Sequence, residues 1–281
     1  MKRKIIVVTL TIAGSALILY PFISNYINQY FQTSIITNYE KEVDNLTKEK
    51  KEQMMQEAID YNNNLEKDSF IEVSLENTKD EPTPPSYLNV LNLGEVMGYI
   101  NIPKIDVNLP IYHGNSKDVL KKAVGHLEKS SLPIGGKGTH CVLSGHTGLA
   151  KEKIFDNIDE LEIGDIFYIS SLGNTLGYKV DNINIVEPSD TNAIKIVPDK
   201  DYVTLVTCTP RYINSHRLLV RGERVLEEDL VEGEKDENNK QDLKYNTENS
   251  KNYSLNVIII VILVAIGIVI TFVIAIMIKK K

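Results

Sequence analysis

The chain is expected to fold as a mainly β domain, a barrel or a sandwich, over residues 96–226, with a helix before it and an apolar membrane segment towards each end. Three observations predict this. Short strand-like runs recur between residues 96 and 225, with turn signals between them. Apolar residues from Ile36 to Leu65 recur at helical spacing. Long uncharged apolar runs occupy 5–23 and 257–278.

Residues 1–4 carry Lys2, Arg3 and Lys4 ahead of the first apolar run. Gly14 and Ala16 offer a small-x-small cleavage site, as in a signal peptide. The run nevertheless continues through Leu17, Ile18, Leu19, Tyr20 and Phe22, which favours an uncleaved anchor. Residues 257–278 hold no charge and are followed by Lys279, Lys280 and Lys281. At 1.5 Å per residue that run reaches about 33 Å, enough to cross the hydrocarbon core. Cations flank both runs on their outer sides, so both termini (1–4 and 279–281) are expected in the cytoplasm and residues 24–256 outside the cell membrane.

Within 24–95, Ile36, Tyr39, Val43, Leu46, Met54, Ala58, Tyr61 and Leu65 fall on one face of a helix. The opposite face is mixed in charge, so the helix is expected to pack on the following domain rather than on a membrane surface. Residues 66–92 lose this periodicity, and Glu81-Pro82-Thr83-Pro84-Pro85 suits neither helix nor central strand.

In the β domain the strand-like runs are 97–105, 108–113, 140–143, 165–170, 176–186, 202–207 and 218–225. Gly135-Gly136, Gly164-Asp165 and Gly173-Asn174 mark turns, and helical stretches are expected near 116–124 and 152–161. Residues 227–256 are acidic and nearly free of apolar residues until the second membrane run, the composition of a flexible linker.

The net charge of −7 argues against a nucleic-acid partner. No His/Cys cluster has ligand spacing, so neither a metal nor another cofactor is expected, and the acidic surface leaves calcium dependence open. Cys141 and Cys208 are too few for a disulfide scaffold. Cys141 lies within an apolar strand and reads as a buried, inert thiol. Cys208 follows a β-rich run, Tyr202 to Thr207, and Pro210 ends the strand just beyond. A thiol at a strand end is reachable, but it needs a nearby cation or imidazole to act as thiolate. Among five histidines, His146 also sits at a strand end, between Gly145 and Thr147-Gly148. Arg217, nine residues after Cys208, would return beside it across a hairpin, where a guanidinium could stabilise an oxyanion. Arg221 shares that sheet face and is its rival.

Thr204-Leu205-Val206-Thr207-Cys208 resembles the TLxTC signature of sortases. His146 in Ser-Gly-His-Thr-Gly and Arg217 match the family's other two elements, and the similarity runs from about Met97 to Val225. The C-terminal membrane run and the stretch from Thr209 to Gly222 resemble class C, the pilus-assembling sortases. The resemblance implies an eight-stranded barrel and a catalytic Cys208, His146 and Arg217, with Thr207 binding substrate. It implies cleavage of an LPxTG-like sorting signal between Thr and Gly through a Cys208 thioester. The acyl group would pass to an amine, a pilin lysine in class C. Two alternatives stay open: a housekeeping sortase using a cell-wall precursor amine, and an inactive scaffold that binds sorting signals.

Class C sortases often carry a lid with an Asp-Pro-aromatic motif. Asp68-Ser69-Phe70 keeps the acid and the aromatic without the proline, and Asp80-Glu81-Pro82 has the proline without the aromatic. The lid assignment therefore falls on Asp68 and Phe70.

Overall fold

The computed structural model describes residues 2–65, 85–148 and 154–225. The lid residues Asp68 and Phe70, the acidic linker and the apolar run 257–278 lie outside the described residues. The chain divides into two compact units, Met1–Tyr30 with Glu232–Lys281, and Phe31–Val231, which holds the β domain.

Eight strands close into a barrel in the order β1-β2-β3-β4-β7-β8-β6-β5. They are β1 (Val96–Ile102), β2 (Val107–His113), β3 (Val124–His126), β4 (Thr139–Ser144), β5 (Ile166–Ser171), β6 (Asn174–Val186), β7 (Asp201–Thr209) and β8 (His216–Arg224). The eight-stranded barrel is the one expected. Antiparallel pairing of β1 with β5 closes it. Two pairings are parallel, β2 with β3 and β4 with β7. Pro110, inside β2, pairs with Tyr99 of β1, whereas β3 begins pairing only at Ile111. The proline thus sits where β2 needs no donor on its second side.

Side chains alternate between the two faces of each strand. The inward set includes Ile100, Ile102, Ile111, Leu143, Phe167, Ile169, Val203, Leu205 and Val220, all without exposed surface. Truncating Ile100 or Leu205 to alanine should cost about 2–5 kcal/mol, because a packed interior relaxes only partly around the void. The outward set on β4, β7 and β8 forms a second cluster. Val142, Val206 and Leu219 pack there with Leu127 and with Ile194 of the β6–β7 connection.

His140 ties that connection down. Its Nδ1 lies 2.8 Å from the Lys195 carbonyl and its Nε2 lies 2.7 Å from Thr204 Oγ1. A carbonyl only accepts, so Nδ1 carries the hydrogen and Nε2 accepts from the threonine. Burial pushes the His140 pKa down to about 4.

The expected N-terminal helical face packs on the barrel, in two pieces. Helix α1 spans Lys2–Asn45 and α2 spans Lys48–Asn63. Thr47 makes the break by capping α2, its side chain accepting from Lys50 N at 3.2 Å. Tyr39 and Val43 pack with Val96, Tyr112 and Ala123, and Met54 and Ala58 join the barrel core. Helix α1 is continuous from Lys2, so the expected segment 5–23 is not a separate element. Among the described residues no helix is long and apolar enough to cross a membrane, so the structure lends the first expected span no support.

Two short helices follow, α3 (Pro85–Asn89) and α4 (Lys117–Leu120). The helix expected over 116–124 shrinks to α4, because Val124 already belongs to β3. The helix expected over 152–161 is corrected as well. Residues 154–157 are bends and turns, and Ile158–Glu160 is a single 3-10 turn.

Candidate active site

Cys208 lies one residue before the end of β7 and is partly exposed. Two residues after Val206, it shares the outward face of the sheet. Cys141, by contrast, is buried in the barrel core, and that burial pushes its thiol well above the ordinary range. It pairs with Val203, five residues before Cys208, or about 16 Å along the strand. Both cysteines are free thiols.

Arg217 is the direct cross-strand partner of Cys208 in the antiparallel β7/β8 pair. Directly opposed residues point to the same face with Cα atoms ~4.5–5.5 Å apart. Arg217 is buried, and its Nη1 donates to the carbonyls of Asn214 and His216 at 3.1 and 3.0 Å. Asn214 belongs to the turn that joins the strands and His216 opens β8, so the end of the short connection helps to aim the guanidinium. The rival Arg221 pairs with Thr204, four residues further from the site. It is engaged there by Asp181 at 3.0 and 2.6 Å and stands over the Tyr202 ring at 4.2 Å.

His146 reaches the same rim from the other side of β7. Strand β4 runs parallel to β7 with Ser144 level with Val206. One step on, Gly145 N–H donates to the Val206 carbonyl at 3.0 Å, which carries the ladder past the end of β4. Continuing that register, the next residue along, His146, falls level with Cys208 just past the end of β4. Thr207 fastens this end: its hydroxyl is buried and donates to the Gly145 carbonyl at 2.8 Å. The residue expected to bind substrate thus spends its hydroxyl on joining the cysteine strand to the histidine loop.

The other histidines sit elsewhere. His126 and His140 are fully buried, and His113 Nε2 lies 2.7 Å from the Val90 carbonyl. His216 pairs with Thr209 and therefore points to the face opposite that of Cys208 and Arg217.

Two residues that no local pattern singled out hold the histidine loop. Phe155 N–H donates to the His146 carbonyl at 3.1 Å, and its ring packs against Gly145. A Cβ on Gly145 would come within 2.3 Å of that ring, so only glycine fits. Asp156 accepts from Gly148 N–H at 2.7 Å and from Thr147 Oγ1 at 3.2 Å. Its backbone carbonyl accepts from the Arg211 guanidinium, which belongs to the turn between Cys208 and Arg217.

A thiol and a guanidinium thus lie on directly opposed residues of β7 and β8, and an imidazole follows the end of β4 on the other side of β7. That set can supply a nucleophile, an acid–base group and a donor for a developing oxyanion, the requirements of covalent acyl transfer. Residues 100–225 match the sortase domain family. The chain resembles the solved sortase C-1 of Streptococcus pneumoniae at 39% identity and a TM-score of 0.65, over 69% of this chain and 98% of that one. The pilus-related sortase C of Group B Streptococcus is 38% identical with a TM-score of 0.63, over 68% of this chain and 97% of that one. Sortase D of Bacillus subtilis is 33% identical over 135 residues, which span 47% of this chain and 65% of that protein. The chain belongs to the sortase family, whose members are cysteine transpeptidases, and its structural neighbours are class C sortases.

Proposed function

We propose that this chain is a pilus-type sortase that cleaves an LPxTG-like signal between Thr and Gly and joins the new acyl group to a pilin lysine. The observation that carries the reading is the position of Cys208, with Arg217 directly across the hairpin and His146 level with it on the other side.

In this reading the Cys208 thiolate attacks the threonine carbonyl and the C=O electrons move onto oxygen. The Arg217 guanidinium donates to that oxyanion. Collapse expels the glycine nitrogen, which takes a proton from His146 and leaves as an amine, with a thioester on Cys208. An incoming lysine amine attacks the thioester, His146 takes its proton, and an isopeptide bond forms as the thiolate departs. Thr207 acts in this scheme by keeping the two strand ends together.

Sortases are generally membrane-associated. Helix α1 exposes Ile6, Val7, Leu10, Leu17 and Tyr20, which supports mooring through the N-terminal run. The two-pass arrangement, with the barrel outside the cell and both termini inside, rests on the apolar runs and their flanking cations.

The test uses the full chain in detergent micelles, incubated with an LPxTG peptide and followed by intact mass. A peptide-sized adduct on Cys208, absent in Cys208→Ala, is the expected result. Adding a lysine-bearing pilin peptide should discharge it to a crosslinked product. An intact, alkylatable Cys208 that never acquires an adduct from any sorting peptide would leave only a binding scaffold. Discharge by a cell-wall precursor amine but not by lysine would make it a housekeeping enzyme.

A further inference from the structure

The histidine loop and the hairpin turn are both connections at the rim, and each carries groups whose relative placement decides whether the site is assembled. His146 follows the last ladder residue, Gly145, and precedes Gly148, whose φ of +82° belongs to the left-handed region. The hairpin turn, residues 210–215, holds Tyr212 and Asn214 at φ of +70° and +60°. One residue touches both connections, with its side chain on one and its backbone on the other. The Asp156 carboxylate takes the two donors that follow His146, and its own carbonyl takes the Arg211 guanidinium from the turn. The connections also pack directly. A Cβ on Gly148 would lie 3.4 Å from Arg211 Cγ and 3.5 Å from the Tyr212 ring.

We propose that Asp156 is a positioning residue for the transfer reaction, clamping the loop that carries His146 to the turn that aims Arg217. The inference rests on the assignment of Cys208, His146 and Arg217 above. Its physical basis is the steep dependence of acyl transfer on alignment, since an error of about 1 Å can cost on the order of 10²-fold in rate. Both carboxylate contacts go to the chain after His146. Asp156 therefore acts by fixing where the ring stands. An uncharged acceptor of the same shape would serve in its place.

The experiment measures single-turnover acylation of the full chain in detergent by an LPxTG peptide, across pH, for wild type, Asp156→Ala, Asp156→Asn and Arg211→Ala. Asp156→Ala should acylate roughly 10- to 100-fold more slowly at saturating peptide, with half-saturation within about twofold of wild type. Asp156→Asn should recover to within about threefold, because its amide oxygen still accepts from Gly148 N–H. Both limbs of the pH profile should stay in place. Arg211→Ala, which leaves the carboxylate contacts intact, should slow acylation by roughly 3- to 10-fold and covers the case in which Asp156→Ala does not fold. Wild-type acylation in Asp156→Ala would overturn the inference. So would an Asp156→Asn as slow as the alanine variant with a displaced pH profile, which would mean that the charge acts on the imidazole itself. If wild type itself forms no thioester, the failure lies with the assignment of Cys208 and not with Asp156.

Discussion

The Tyr87 hydroxyl lies 2.7 Å from Nδ1 of His126 and accepts from Gly114 N–H at 3.0 Å. Nε2 of His126 faces the Ser131 carbonyl at 2.9 Å and so carries the ring hydrogen. Tyr87 is therefore the donor to Nδ1, and helix α3 is pinned to β3 by a buried polar contact. Its ring also stacks on His126 and meets Tyr61 of α2, with centroids 5.7 and 5.9 Å apart. Tyr87→Phe keeps the rings and strands the buried Nδ1 of His126 and the part-buried Gly114 N–H. It should cost about 1–3 kcal/mol, read as a lower unfolding midpoint in denaturant. An unchanged midpoint would mean that ring packing alone holds α3.

Acid should weaken the fold through its buried histidines. Burial pushes His126 and His140 down to about 4. An unfolded histidine binds its proton near pH 6.5, so the unfolded chain gains protons first as pH falls. The stabilisation from holding both rings neutral is complete above about pH 6.5 and is lost progressively down to about pH 4. Between pH 7 and 5 each should cost about 2 kcal/mol. Burial raises the Asp201 carboxyl, which works in the opposite direction and offsets part of the loss. Denaturant titrations at pH 7, 6 and 5 check this, and a flat midpoint across that range would contradict it.

The two arginines of β8 should separate cleanly. Arg217→Ala removes the donor opposite Cys208 and should slow acylation by roughly 10²- to 10³-fold, with little recovery in Arg217→Lys. Arg221→Ala breaks the Asp181 pair, which is about a quarter exposed on each side, and should cost about 1 kcal/mol of stability while acylation stays within a few-fold. Peptide acylation rates and thermal melts on the same preparations decide it. Equal losses of rate in the two variants would refute the assignment.

Gly145→Ala tests how tightly the histidine loop is packed. The new methyl collides with the Phe155 ring, so either the ring or the loop must move. Overpacking of this kind costs about 1–3 kcal/mol. Because His146 directly follows Gly145, acylation should fall by at least about tenfold. Pairing the change with Phe155→Leu should restore part of the rate.

Alternation and strand-end position made much of the barrel, and the pairing of Cys208 with Arg217, legible in the sequence. A hairpin is a local object, so nine residues of spacing suffice to place one side chain opposite the other. Strand β3 was missed because Val124–His126 is too short to show a period. The 152–161 stretch misled for a physical reason. Ile154, Phe155, Ile158 and Leu161 mimic a helical face, yet all are buried by irregular chain packed beside the barrel. His146 stood out only through its motif, since its approach to Cys208 depends on parallel pairing of β4 with β7 across two intervening strands. Asp156 left no trace, because its partners are backbone groups and a distant arginine, and neither forms a sequence pattern.

The barrel interior is filled by side chains, and Cys208, Arg217 and Val206 stand on its outer wall. A reacting polypeptide consequently never has to thread through a channel or fit inside a chamber. It can lie across the wall as an extended tail while the folded body attached to it stays in solvent.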